Sequence, residues 1–229
     1  MVKEFQSLAP QLLGPFDTRR VIPTAYPAVN LYANLAVDPG LWDALHQIES
    51  RTNPRLEADD AGPRGVPSGS AVEGAGSSFI MAPFAHRRVS RFSAGNFGIY
   101  YCAVQEETAI REVAYHSARF LRDSRQPPQT LAFRSIAATL RGSAFDVYEQ
   151  PWPWLRDDDY RECQRFGEYA YGRAQIIRYE SVRHRDNVAF AVLSPRALAD
   201  ARHLAYLEMA WDGQAITHYS RVGGQLGAL

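Results

Sequence analysis

The stretch "FGIYYCAV", residues 97–104, is apolar almost throughout and rich in strand-forming residues. It reads as a strand with Ile99, Tyr101 and Ala103 on one face and Tyr100, Cys102 and Val104 on the other. The pattern then becomes that of a helix, expected from Glu106 to Leu121, with Ala109, Ile110, Val113, Ser117, Phe120 and Leu121 as its buried stripe. Acidic residues crowd its first turn, where the helix dipole favours them. Two further strands are expected at 130–136 and 143–148. "DDDYRECQRFGEYAYG" reads as a helix with an aspartate start and a glycine stop at Gly172. "AQIIRYES" and "VAFAVLS" are expected to pair as strands, the second so continuously apolar that it belongs at the centre of a sheet covered on both faces. "RHLAYLEMAWDGQAITHY" is a hairpin turned by Asp212-Gly213. Upstream, residues 1–40 read as an irregular proline-rich arm, 41–50 as a short helix, and 53–78 as a long Gly, Pro and Ser surface loop. That loop has no Walker lysine and no G-x-G-x-x-G, so it is not read as a phosphate cradle. Many strands with few, segregated helices predict an α+β fold. One compact domain is expected overall, an arm and helix over 1–60 packed on a core over 61–229, with no internal repeat.

Composition narrows the classes of partner. Lys+Arg and Asp+Glu both number 25 in 229 residues, so the general basic field that nucleic acid needs is absent. The short basic run "HRRVSR", 86–91, does not replace it, and no direct nucleic-acid contact is expected. Cys102 and Cys163 lie far apart without metal-type spacing, which fits a reducing compartment. The N-terminus lacks the apolar run of a signal peptide, and no apolar stretch approaches a membrane span, so a cytoplasmic protein is expected. The consecutive aspartates 157–159 point different ways at a helix start, and the histidines are scattered, so no metal site is expected.

The segment "RFSAGNFGIYYCAVQEETAIREVAYH", 91–116, carries the candidate chemistry. At 100° per residue, Glu112 lies about 60° outside the edge of the predicted stripe, on the flank of His116, while Arg111 points to solvent. A glutamate there either makes a surface ion pair or borders a cleft. Arg91, before a glycine-rich turn, either tethers a loop or meets a phosphate. Tyr101 is a core tyrosine or a ring offered to a ligand. Ser181, at a strand end before "VRHRDN", is a turn former or a ligand contact.

Together these residues follow an order: R-F-x-x-G-x-x-x-x-Y-Y-x-A, then E-T-A-I-x-E, then a strand ending Y-x-S-V-R. With "MAPFAHRRVSRFS", "REVAYHSARFL" and "VAFAVLSPRAL", this order resembles the RES domain, firmly over about residues 80–200 and more loosely over 15–80. The resemblance implies an ADP-ribosyltransferase-like core, a split mixed β-sheet with peripheral helices around a cleft for NAD. It implies the toxin of a toxin–antitoxin pair that destroys NAD, with water or inorganic phosphate as acceptor. NAD is then substrate, and no metal or prosthetic group is required. The partner it implies is an Xre-type helix-turn-helix antitoxin covering the active site; the acceptor and a homodimer stay open. Carried onto this chain, the family's Arg, Tyr, Glu and Ser fall on Arg91, Tyr101, Glu112 and Ser181, and Arg20 in "RRVIPTAYP" matches an early family arginine. The implied roles are a forked phosphate contact for Arg91, stacking on nicotinamide for Tyr101, a ribose or carboxamide hydrogen bond for Ser181, and charge stabilisation at the anomeric carbon for Glu112. One departure stands out: Glu180 occupies the position before the serine where the family usually has proline. Transfer of ADP-ribose to a protein, and a non-catalytic module binding a partner helix or nucleic acid, are the competing readings.

Overall fold

A computed structural model describes residues 5–24 and 71–222, and the backbone of 226–228. The helix expected at 41–50 and the proposed domain boundary near residue 60 lie outside these residues. In chain order the elements are β1 (Gln11–Pro23), α1 (Ser77–Ala85), β2 (Val89–Ser90), β3 (Ser93–Ala94), β4 (Tyr100–Ala103), α2 (Glu106–Asp123) and β5 (Gln129–Asp146). Then come α3 (Arg161–Ala170), β6 (Ile176–Glu180), β7 (Val188–Val192), β8 (Leu198–Trp211), β9 (Ile216–Arg221) and β10 (Leu226–Ala228).

The main sheet has eight strands in the order β1-β4-β7-β6-β5-β8-β9-β10, and β1 pairs back onto β5. The expected α+β class with a mixed, split sheet is what the structure has. Its halves, β4-β7-β6 and β1-β5-β8-β9-β10, meet at two thin seams. One is Arg19 opposite Ala103 between β1 and β4; the other is the parallel register of residues 144–146 of β5 with 176–178 of β6. Arg178 closes the second seam on Asp146 at 2.6 Å and lies over the Tyr148 ring. All other pairings are antiparallel.

β7 sits between β4 and β6 as its apolar run requires, with Ala189, Phe190, Ala191 and Val192 buried. The two faces expected of β4 hold as well. Tyr101 packs with Ile99, Phe92, Phe166 and Tyr179 on one face, while Tyr100 and Cys102 join Phe84, Phe190 and Leu140 on the other. A third apolar cluster lies under α2, where Ile110, Ala114 and Leu121 meet Phe133, Leu207 and Trp211. The Asp212 carboxylate accepts from the N–H groups of Gln214 and Ala215, and Gly213 has φ 102°, so the β8–β9 hairpin turns where the sequence places it.

Four expectations need correction. Residues 11–23 are not an irregular arm: they form a long strand hydrogen-bonded along β5. Gly14 and Pro15 sit at the bulge between Leu13 and Phe16, and that interruption hides the strand from a periodicity count. The separate strands at 130–136 and 143–148 are one, Gln129–Asp146, because β1 and β8 pair with it from both sides through the small residues between. The end of the loop expected to run to residue 78 is already the first turn of α1. Phe120 is 67% exposed rather than buried, and Ala114 and Ala118 take the inward line of α2, their small side chains letting the helix lie close to the sheet. Among the described residues no helix is long and apolar enough to cross a membrane.

Candidate functional site

Helix α2 presents two faces to protein. Ile110, Ala114, Ala118 and Leu121 face the sheet. Thr108, Glu112 and Tyr115, spaced i, i+4 and i+7, face the turn that follows β6. Each finds a partner there. Thr108 Oγ1 lies 2.9 Å from His184 Nδ1. Ser181 Oγ donates to Glu112 Oε1 at 2.6 Å. The Arg183 guanidinium lies 3.4 Å from the centre of the Tyr115 ring. The first turn of α2 is fixed independently, since Glu106 accepts from Ser135 Oγ at 2.5 Å and pairs with Arg221. The acidic start of the helix therefore docks it on β5 and β9 as well as meeting its dipole.

Glu112 is the focus. Its Oε1 also accepts from the Arg183 N–H at 3.4 Å, and its Oε2 lies 3.9 Å from His116 Nε2. The side chain is 24% exposed, so the carboxylate is gripped on one oxygen without being sealed from solvent. Burial, with Arg183, Arg91 and Arg119 adding to it, holds the His116 imidazole below its ordinary value, and Glu112 opposes that shift. His116 is therefore chiefly neutral at pH 7.

Ser181 is fully buried, donating to Glu112 and accepting from the His184 N–H at 3.0 Å. That hydroxyl is already committed. A ligand hydrogen bond from it requires release of Glu112. Glu180 does not disturb the turn. It accepts from the Asp186 N–H at 3.0 Å and from Arg156 at 2.5 and 2.8 Å, so its charge is compensated. The Asp186 N–H first, then Arg156, hold its carboxyl below the ordinary value against the opposing effect of burial.

Tyr101 accepts from the Phe92 N–H at 3.2 Å and donates to Ser90 Oγ at 2.9 Å. Burial pushes its phenol up to about 12, with the Ser90 bond opposing. It is an anchor for the 90–92 segment, with its ring only partly buried. Arg91 is 8% exposed, and its Nη1 donates to the carbonyls of Leu155 at 3.0 Å and Asp157 at 2.9 Å. Its guanidinium also lies over the Tyr160 ring at 4.6 Å. Of the two sequence alternatives, Nη1 takes the loop tether; a forked phosphate contact through it needs those carbonyls released. The packing behind Arg91 is close: a Cβ on Gly167 of α3 would stand 1.8 Å from the Phe92 carbonyl oxygen.

Glu112 and Ser181 are in direct contact, whereas among the described hydrogen bonds and ion pairs none joins Arg91 or Tyr101 to them; Tyr101 packs in one apolar cluster with Tyr179. That buried phenol is raised well above its ordinary value by burial first, then by Glu112 and Tyr101, with Arg91 opposing. Tyr179 thus lies within electrostatic reach of Glu112, Tyr101 and Arg91. Arg20 reaches this group through the main chain of Tyr101. It donates to the Tyr101 carbonyl at 2.9 Å and covers the Tyr100 ring at 4.5 Å, on the Tyr100 and Cys102 side of β4.

Arg183, Tyr115 and Asp158 belong to the Glu112 site and carried no sequence signal strong enough to select them. Asp158 pairs with Arg183 and accepts from Tyr115 Oη at 3.3 Å. Arg183 stood in the Y-x-S-V-R string, and Tyr115 was readable one turn beyond Glu112.

The chain is 23% identical over 202 residues to "Uncharacterized protein y4oC" of Sinorhizobium fredii, a match covering 86% of this chain and 84% of that protein. Residues 71–212 match the RES domain, a span that runs from before α1 to the end of β8 and holds Arg91, Tyr101, Glu112 and Ser181 together. On that extent, the chain belongs to the RES-domain family.

Proposed function

We propose that this protein cleaves the N-glycosidic bond between nicotinamide and ribose in NAD, as a glycohydrolase or a phosphorylase, and that it is the toxin of a pair whose antitoxin is of the Xre type. The observation that carries the reading is the half-gripped Glu112, one carboxylate oxygen held by Ser181 and the Arg183 N–H, the other 3.9 Å from His116 Nε2 on a side chain that solvent still reaches. Nicotinamide leaves as a neutral group, so its departure needs no strong acid. What the transition state needs is stabilisation of an oxocarbenium-like ribose. A carboxylate about 4 Å from that centre supplies about 4 kcal/mol at an effective dielectric near 20. That corresponds to roughly a thousandfold in rate. Ser181 and Arg183 hold the carboxylate where it is required before substrate arrives.

The test is release of nicotinamide from NAD by the full chain, with and without inorganic phosphate. Wild type is expected to give free ADP-ribose, or its phosphorylated counterpart when phosphate is present. Glu112→Ala is expected to lose about a thousandfold in kcat. Equal turnover by wild type and Glu112→Ala rejects the assignment. A labelled protein band in place of free product assigns the same site to protein ADP-ribosylation, and no NAD loss at all leaves a binding module.

A further inference from the structure

We infer that Arg183 and Tyr115 form a subsite for a phosphate oxyanion, closed in the free protein by the carboxylate of Asp158. The inference rests on the NAD reading for the identity of its ligand, and on geometry for its existence. Asp158 is held at two points, by the Arg183 guanidinium on one oxygen and by Tyr115 Oη on the other at 3.3 Å. A planar cation and a hydroxyl converging on one anion are the donors that a phosphate takes. The donors are built in and the anion is not. The Arg183 side chain is 18% exposed and stacked on Tyr115, whereas Asp158 is 54% exposed. Arg183 Nε is buried and has no hydrogen-bond partner among the described residues, so donor capacity remains when Nη2 is engaged. An ion pair with so exposed an acid is weak and readily exchanged.

Position favours the same conclusion. The main chain of Arg183 donates to Glu112, so an anion at this guanidinium lies next to the reacting carboxylate's own support. Arg91, the arginine expected to take phosphate, instead spends Nη1 on the carbonyls of Leu155 and Asp157. Its effect is to set the loop that carries Asp158 against Arg183. A second ion pair between the same two segments, Arg156 with Glu180, keeps that loop docked. In this arrangement one arginine places the plug and the other receives the ligand. The oxyanion has two sources in the proposed reaction, the diphosphate of NAD and an acceptor phosphate, and the experiment separates them.

The affinity of ADP-ribose for the full chain is measured by titration calorimetry, with inorganic pyrophosphate as competitor, for wild type, Arg183→Gln, Tyr115→Phe and Asp158→Asn. In parallel, the phosphate dependence of nicotinamide release is followed. If the subsite holds the diphosphate, Arg183→Gln weakens ADP-ribose at least about tenfold, Tyr115→Phe less, and Asp158→Asn tightens it about three- to tenfold. If it holds the acceptor, ADP-ribose affinity is unchanged, and the half-saturating phosphate concentration rises in Arg183→Gln and falls in Asp158→Asn. Either pattern supports the subsite. Asp158→Asn weakening both ligands, or leaving both within twofold, overturns it, and that variant decides the matter even if Arg183→Gln fails to fold. Cleavage of NAD by wild type with no effect of Asp158→Asn rejects the subsite and leaves the activity standing. Pyrophosphate binding that tightens in Asp158→Asn, without NAD cleavage, retains the subsite and rejects the activity.

Discussion

Replacing Ser181 with alanine removes the hydroxyl that orients Glu112 and disturbs little else in volume. The lost bond is a 2.6 Å hydrogen bond to a carboxylate. Bonds of that kind contribute roughly 1.5–3 kcal/mol. If Ser181 acts through Glu112, the whole of that falls on the transition state, so kcat for nicotinamide release drops about 10- to 150-fold. KM stays nearly unchanged, since the serine is fully buried and its hydroxyl is shared between Glu112 and the His184 N–H. The same substitution leaves the His184 N–H short of an acceptor, which costs about 1–3 kcal/mol of stability. Thermal denaturation therefore separates loss of folded protein from loss of rate. The decisive assay is a double-mutant cycle with Glu112→Ala. An orienting serine has nothing left to orient in that background, so the second substitution adds no further loss. A rise in KM at constant kcat, or full additivity in the cycle, refutes the orienting role and restores direct contact with substrate.

Three further outcomes are expected. Gly167→Ala, in the middle of α3, should raise helix propensity, yet its Cβ would meet the Phe92 carbonyl oxygen at 1.8 Å; a fall in melting temperature equivalent to about 1–3 kcal/mol is expected, and a rise would refute the close packing of α3 on the Arg91 segment. Because the Glu180 carboxyl is held below its ordinary value of 4.5, it contributes stability above that pH and loses it as the pH falls through the lowered value. Denaturant unfolding of wild type against Glu180→Gln between pH 7 and pH 3 should show the gap closing with acid, and a gap that widens contradicts the Asp186 and Arg156 contacts. Burial pushes the Cys163 thiol up to about 11 and the Cys102 thiol up to about 12, so both should resist a disulfide reagent at pH 8 in folded protein and react once it is denatured.

Much of the fold was legible because its signals are local. The strand-forming residues of β4, the apolar run of β7 and the Asp212-Gly213 turn each depend on residues adjacent in the chain. β1 was not legible, since what makes Gln11–Pro23 a strand is pairing with β5, more than a hundred residues later, across an interruption at Gly14 and Pro15. Nor was the inward line of α2, where alanines took the place expected for Phe120 because the sheet lies too close for a large ring.

The sequence alone determined the residue types and their order: Arg91, Tyr101, Glu112 and Ser181 follow one another within the span that matches the RES domain. Tertiary structure alone decided what each side chain touches. Ser181 meets Glu112 across 69 residues, and Arg91 meets the carbonyls of Leu155 and Asp157 across 64 and 66. The spacing of Thr108, Glu112 and Tyr115 is visible along the chain. Whether such a polar stripe meets water or a turn depends on where the split sheet brings the end of β6, and that placement follows from non-local strand pairing, which no local period encodes.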